Sequence, residues 1–235
     1  MKNRSPIAIA VDAALAGLLI AVMATALVQE AAHEYLGASL FAAVTAHAIL
    51  NRRRFRALLR GRRNMVRALR LMAIACLVMC VIGQAASALV LSKFAFGFLP
   101  ALPGAAVARR IHMLCSYWGF VLAFAHVGLH IKGPSRLIRT RGERNASDVP
   151  RYVIWACRFS FAAVACFGAY SFIQLDFAAY LFGRVQFAFA DYGAPIDLLL
   201  MSYASIAVLI SGLFHYLRTT LEALEISRHR TSRAR

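Results

Sequence analysis

Carboxylates are scarce in this chain. Only 10 of its 235 residues are Asp or Glu, against 27 Lys and Arg. Asp12 is the one carboxylate set well inside an apolar run. That scarcity argues against a carboxylate-rich metal cluster or an ion path built on intramembrane acids. The five cysteines (Cys76, Cys80, Cys115, Cys157, Cys166) form no Cys-x-x-Cys and no Cys-x-x-Cys-His. A zinc ribbon and covalent c-type haem attachment are therefore unsupported. No Gly-x-Gly-x-x-Gly occurs either, so a dinucleotide-binding domain is missing and nicotinamide-dependent reduction by this chain alone is excluded.

What the chain has in excess is apolar sequence. Hydrophobic residues make up 61% of it, and they come in runs long enough to cross a bilayer. Six spans are predicted, at roughly 7–28, 32–50, 71–92, 110–131, 152–174 and 195–216. Each must be helical, because a lone strand cannot satisfy its backbone in lipid. The expected fold class is all-α: one integral membrane bundle over 1–235. Of the 27 basic residues, 22 lie in the N-terminus, the 51–70 loop, the 132–151 loop and the C-terminal tail. Lys93, Arg109, Arg110 and Arg184 lie on the other side, and Arg158 sits inside a span. This alternation predicts both termini inside, in a bacterial inner membrane. The net charge of +17 thus reads as a topology signal with attraction to anionic lipid, and not as a nucleic-acid site. Lys2, Arg4 and Ala24-Thr25-Ala26 imitate a signal peptide, but the apolar run is too long and holds Asp12, so a retained span is expected. The sequon Asn145-Ala146-Ser147 falls on the inner side and reads as chance.

Histidines carry the functional signal. His33 and His47 are 14 residues apart in the second span, and His112 and His126 are 14 apart in the fourth. Fourteen helical steps return to within ~40° of the same face and ~21 Å along the axis. HEYLGASLFAAVTAHAILN (33–51) aligns without gaps on HMLCSYWGFVLAFAHVGLH (112–130). The first four spans therefore read as a duplicated two-helix unit over 1–131. The remainder, 132–235, reads as a basic inner loop plus two appended spans. Equal spacing makes both histidine pairs level at once, which suits two haem b groups held by His33 with His112 and by His47 with His126. Arg109 and Arg110 beside His112, and Arg158 at the depth of His126, are candidate partners for haem propionates. Asp12 is an alternative partner for Arg158. Gly17, Gly83, Ala85, Ala86, Ser87 and Ala88 could let a flat ring approach a helix. His130, on the same face as His126, could replace it as ligand, serve a quinone or proton site, or have no role. His215 invites the same readings, whereas His229 reads as solvated. The aromatic outer loop at 175–194 reads as an interfacial belt.

Three stretches, HEYLGASLFAAVTAHAILNRRRF, IHMLCSYWGFVLAFAHVGLHIKG and GLFHYLR, resemble the bacterial flavinylation-associated cytochrome domain, formerly a domain of unknown function. More distantly, the chain is similar to the haem-bearing gamma-type membrane subunits of formate dehydrogenases and to ferric reductase-like proteins. The resemblance implies a multi-span b-type cytochrome with His33, His47, His112 and His126 as haem ligands. It also implies an extracytoplasmic FMN-bearing protein as partner and an electron-transfer subunit in place of a stand-alone enzyme. With a quinone as a further candidate cofactor, the expected function is electron transfer between a quinol pool and that flavoprotein. The competing expectation is a small transporter or channel whose histidines pass a metal ion or protons.

Overall fold

The computed structural model describes residues 5–25, 29–60, 64–98, 100, 102–131, 151–185 and 195–233. The 132–150 loop with its sequon, residues 186–194 of the aromatic loop and the side chain of His229 lie outside the described residues. Among the described residues the chain is all helix: α1 (Pro6–Thr25), α2 (Glu30–Arg60), α3 (Met65–Leu91), α4 (Ala105–His130), α5 (Arg151–Gln174), α6 (Phe177–Leu181) and α7 (Ile196–Arg233).

Five of these helices, α1, α3, α4, α5 and α7, are long and apolar enough to cross a membrane. The chain is a multi-pass membrane protein. The second predicted span, within α2, is not among the five, because His33, Glu34 and His47 lower its hydropathy. Two helices also run well past their predicted ends. α2 continues through Asn51–Arg60 and α7 through Thr219–Arg233. Both extensions are rich in Arg, Leu, Glu and Ala, which are good helix formers. The ion pair Arg218 Nε–Glu222 Oε1, 2.7 Å and one turn apart, supports the second. α3 starts earlier than predicted, because Asn64 Oδ1 caps it by accepting from Arg67 N–H.

Helix α7 is the hub. It packs on α1, α3, α4 and α5, while α1 pairs with α2 and α3 with α4 as two hairpins. Glycines set the closest approaches. A Cβ on Gly128 would fall 2.2 Å from Ser211 O, and one on Gly168 would fall 2.4 Å from Ser205 O. Gly83 does the same for α3, where a Cβ would lie 2.6 Å from Cys115 Sγ. It therefore serves helix packing and not approach of a flat ring. Gly17 and Gly37, by contrast, face open space.

The core is aromatic and lies between α4, α6 and α7. Tyr117 stacks on Tyr180 with ring centroids 4.5 Å apart and meets Phe177 edge-on at 4.8 Å. Phe177 and Phe120 are fully buried, and Tyr203 and Ile206 close the cluster. This corrects the reading of 175–194 as an interfacial belt, at least for its first half. A turn at Leu175–Asp176, with Asp176 in the left-handed region (φ 45°), folds α6 inward. The Trp118 indole N–H donates to Leu181 O at 2.9 Å and pins its end. The opposite face of the bundle belongs to lipid: Trp155, Phe159 and Ile173 of α5 are all exposed.

Gly128→Ala should lower the melting temperature of the detergent-solubilised protein, at a cost of about 1–3 kcal/mol for overpacking against the α7 backbone. Gly17→Ala, with no neighbour to meet, should leave the melting temperature unchanged.

Candidate functional site

A histidine inside an apolar bundle needs a fixed acceptor for one ring N–H, and that acceptor chooses which nitrogen keeps its lone pair. Four such acceptors are backbone or side-chain oxygens, three of them outside the histidine's own helix. His33 Nδ1–H donates to Val22 O of α1 at 3.0 Å. His47 Nδ1–H donates to Asp12 Oδ1 of α1 at 2.8 Å. His130 Nδ1–H donates to His126 O one turn back at 2.9 Å, and His215 Nδ1–H donates to Ile131 O at 3.2 Å. His112 follows the same pattern: Gln84 Nε2 donates to its Nε2 at 3.1 Å, leaving Nδ1–H to reach Ser87 Oγ at 3.3 Å. In each case Nε2 carries the lone pair. His126 differs, since its Nδ1 is buried with no hydrogen-bond partner.

The histidines gather at two levels. At the end away from the arginine-rich segment, the rings of His33 and His112 lie 6.0 Å apart, inclined at 66°. Around them are Gln84, Ser87 and Ser116, with the Gln84 amide donating to Ser116 Oγ at 3.0 Å. Gln84 Oε1 is itself buried and unpartnered. The hydrogen-bond partners at this level are amides, hydroxyls and a carbonyl, and the Glu34 carboxylate acts on His33 electrostatically. At the arginine-rich end, the His126 ring lies 4.4 Å from that of His130. His47, Asp12 and Arg70 are close enough to act on His126 electrostatically. This level holds a carboxylate and a guanidinium.

The structure brings His33 and His112 into one pair and sets His47 within electrostatic reach of His126. Arg109 and Arg110 stand exposed in α4 just ahead of His112. Arg158 lies on α5. It is exposed, with its guanidinium 5.4 Å from the centroid of the Trp155 ring. That contact gives the cation a local π partner on the same helix, and Asp12 is the partner of His47. Cys80 and Cys115 are partly buried, on α3 and α4 respectively, while Cys76 is exposed.

Gln84 and the Asp12–His47 pair are the site features that sequence reasoning missed. A signal was present for both. Gln84 is the one carboxamide in the third span and Asp12 the one acid in the first, and such groups in apolar helices seek a partner. Next to His33, Glu34 binds the chain that follows α3. Its carboxylate accepts from Ser92 Oγ at 2.6 Å and from the Lys93, Phe94 and Ala95 N–H groups at 2.9 Å. Among the described residues no group of three or more His, Cys, Asp or Glu side chains could hold a metal ion. What the arrangement offers is paired imidazoles. No family model matches the chain, and no curated protein or solved structure matches it.

Glu34→Gln leaves one acceptor oxygen for the same four donors. Unmet donors cost about 1–3 kcal/mol, so amide exchange at Lys93–Ala95 should speed up roughly tenfold or more, as read by hydrogen–deuterium exchange.

Proposed function

We propose that this protein is a membrane dihaem b-type cytochrome that carries electrons across the bacterial inner membrane. The observation that carries the reading is the facing pair His33–His112, whose ring centroids lie 6.0 Å apart. Two imidazoles bound through Nε2 to opposite sides of one metal, at bonds of about 2.0–2.1 Å, have centroids roughly 6 Å apart. The tautomers agree with that role. Anchoring Nδ1–H to a carbonyl or carboxylate frees Nε2 for ligation and raises its basicity, as Asp12 does for His47.

Two further features support the fit. None of the α2 residues is fully buried, and Gly17 of α1 and Gly37 of α2 face open space. Orphaned buried polar atoms occur at both levels, Gln84 Oε1 at one and His126 Nδ1 at the other. In this reading α2 is the sixth span, both termini are inside, and the first two hairpins are a duplicated unit. His33 with His112 holds the outer group, and His47 with His126 holds the inner. Gln84 holds His112 Nε2 until a ligand takes its place. Arg109 and Arg110 supply cations beside His112 for carboxylate substituents. Haem, if bound, would supply one-electron transfer, with the four histidines as the residues that would hold it.

His130, His215 and Arg218 gather at the C-terminal end of α4. His215 Nδ1–H and Arg218 Nη1–H both donate to Ile131 O, at 3.2 and 3.1 Å. With Nδ1–H donated to Ile131 O, the His215 imidazole offers Nε2 as a proton acceptor. A quinol oxidised there loses two protons and two electrons, and the electrons leave singly along the chain. An outer flavoprotein is the acceptor in this proposal, which makes the protein an electron-transfer subunit.

Purified full-length protein from haem-replete cells should show a Soret band and two haems per chain by pyridine haemochrome. His47→Ala and His112→Ala should each lose one haem and keep the other. Asp12→Asn should weaken retention of the inner haem alone, by ~10–100-fold. Folded protein without Soret absorbance overturns the proposal. Metal-dependent flux in liposomes from such porphyrin-free protein would support the transport reading in its place.

A further inference from the structure

At the arginine-rich end, a cavity of about 360 Å³ opens between the last turns of α2 and the first turns of α3. It is lined by Arg54, Ala57, Leu58, Asn64, Arg67 and Arg70. That volume is near the lower end of small-molecule sites, roughly 300–1,000 Å³. Three of the six lining residues are arginines and none is acidic.

The fold holds these cations in place. Arg67 Nε–H donates to Leu58 O at 2.6 Å and its Nη2–H to Ala57 O at 2.7 Å, bridging α3 to α2. Arg70 Nη2–H donates to Leu129 O at 2.9 Å, while its Nε is buried with no partner. Arg54 Nη1–H donates to Asn51 Oδ1 at 3.0 Å, one turn back. The carboxylates that α7 brings to this end are engaged: Glu225 Oε1 accepts from Met65 N–H, and Glu222 Oε1 from Arg218 Nε–H. The lining of this fixed cationic recess contains no carboxylate, and Glu222, which acts on Arg70 electrostatically, is shared with Arg218.

Its setting is the membrane surface. α2 has 31 residues, ~46 Å at ~1.5 Å per residue, against a hydrocarbon core of ~30 Å. Its final turns therefore overshoot into the headgroup layer. Phe55, Leu59 and Met65, interleaved with the lining residues, are exposed by 45%, 57% and 47%. Exposed apolar side chains among arginines at that depth suit contact with acyl chains beneath phosphate groups.

We propose that this cavity binds the phosphate headgroup of an anionic phospholipid. Arg54, with only Nη1 engaged, has N–H donors left to pair with phosphate oxygens, Arg67 and Arg70 add fixed positive charge, and the exposed Phe55, Leu59 and Met65 lie along the acyl chains. The proposal is independent of haem and needs only that the chain spans a bilayer.

The test uses full-length protein in zwitterionic detergent, titrated with phosphatidylglycerol, phosphatidylcholine or inorganic phosphate. Melting temperature and native mass spectrometry are the readouts. Phosphatidylglycerol should raise the melting temperature and remain bound at one per chain, while the other two ligands should do neither. Arg54→Gln removes a lining cation whose described bond is within its own helix, so the fold is kept. It should weaken phosphatidylglycerol binding at least threefold. Arg53→Gln removes the same charge from the neighbouring position, outside the lining, and should leave binding unchanged. Equal weakening by both variants would show diffuse charge attraction and overturn the site. So would inorganic phosphate acting as well as the lipid, or no retained phosphatidylglycerol.

Discussion

The Asp12–His47 hydrogen bond is the contact on which the arrangement of the first hairpin depends. A carboxylate inside an apolar helix is costly unless it is paired, and here its partner is an imidazole 2.8 Å away on the adjacent helix. The same helix pair is tied a second time by His33 to Val22 O. α2 needs both ties because it buries no side chain. Its remaining anchors are also polar: Glu34 on the chain after α3, Lys93 Nζ on Glu30 Oε1 at 2.6 Å, and Arg67 on the Ala57 and Leu58 carbonyls. A helix held by hydrogen bonds at both ends and at both histidines can stand beside a bundle without filling the space between. That is the structural condition for a flat group to share the seam.

The two histidine levels differ in kind. Around His33 and His112 the hydrogen-bond partners are a carbonyl, a carboxamide and hydroxyls, and the Glu34 carboxylate adds one negative charge that acts on His33. Around His47 and His126 are Asp12 and Arg70, one anion and one cation. In a low-dielectric bundle such fixed charges act over longer distances than they do in water. The two histidine pairs therefore sit in unlike fields, and the groups around the imidazoles make them unlike.

Much of this was legible in the sequence, and what was not has specific causes. Helix positions followed from apolar runs, and the levels of the histidines followed from their 14-residue spacing. α6 was invisible because an aromatic loop beside a membrane has the same composition whether it lies at the interface or folds inward. Only the turn at Asp176 and the stacking of Tyr180 on Tyr117 decide it. The role of Gly83 could not be separated from that of Gly17, since a glycine faces a neighbour or a void according to the helix beside it. The exposure of Arg158 could not be foreseen because depth along a helix was known and its face was not. The contribution of Gln84 was hidden for the opposite reason: it lies on a helix without histidines and matters only through the pairing of α3 with α4.

The arginines that mark topology also finish the helices. α2 and α4 both end at the basic side, where the last carbonyls of each helix lack intrahelical donors and carry the negative end of the helix dipole. Arg67 binds the carbonyls of Ala57 and Leu58 in α2, and Arg70 and Arg218 bind Leu129 O of α4. Each of those bonds crosses from one helix to another, so each also fixes a helix–helix register. Charge bias alone cannot require this, because any lysine or arginine near a span end satisfies a topology signal. The demand for carbonyl partners at named positions does require it, and the planar guanidinium with its fixed donors meets that demand better than an ammonium. The basic end is therefore built of two kinds of cation. Some are consumed as caps, and Arg54, bound only within its own helix turn among the described bonds, keeps its charge directed to what lies outside the protein.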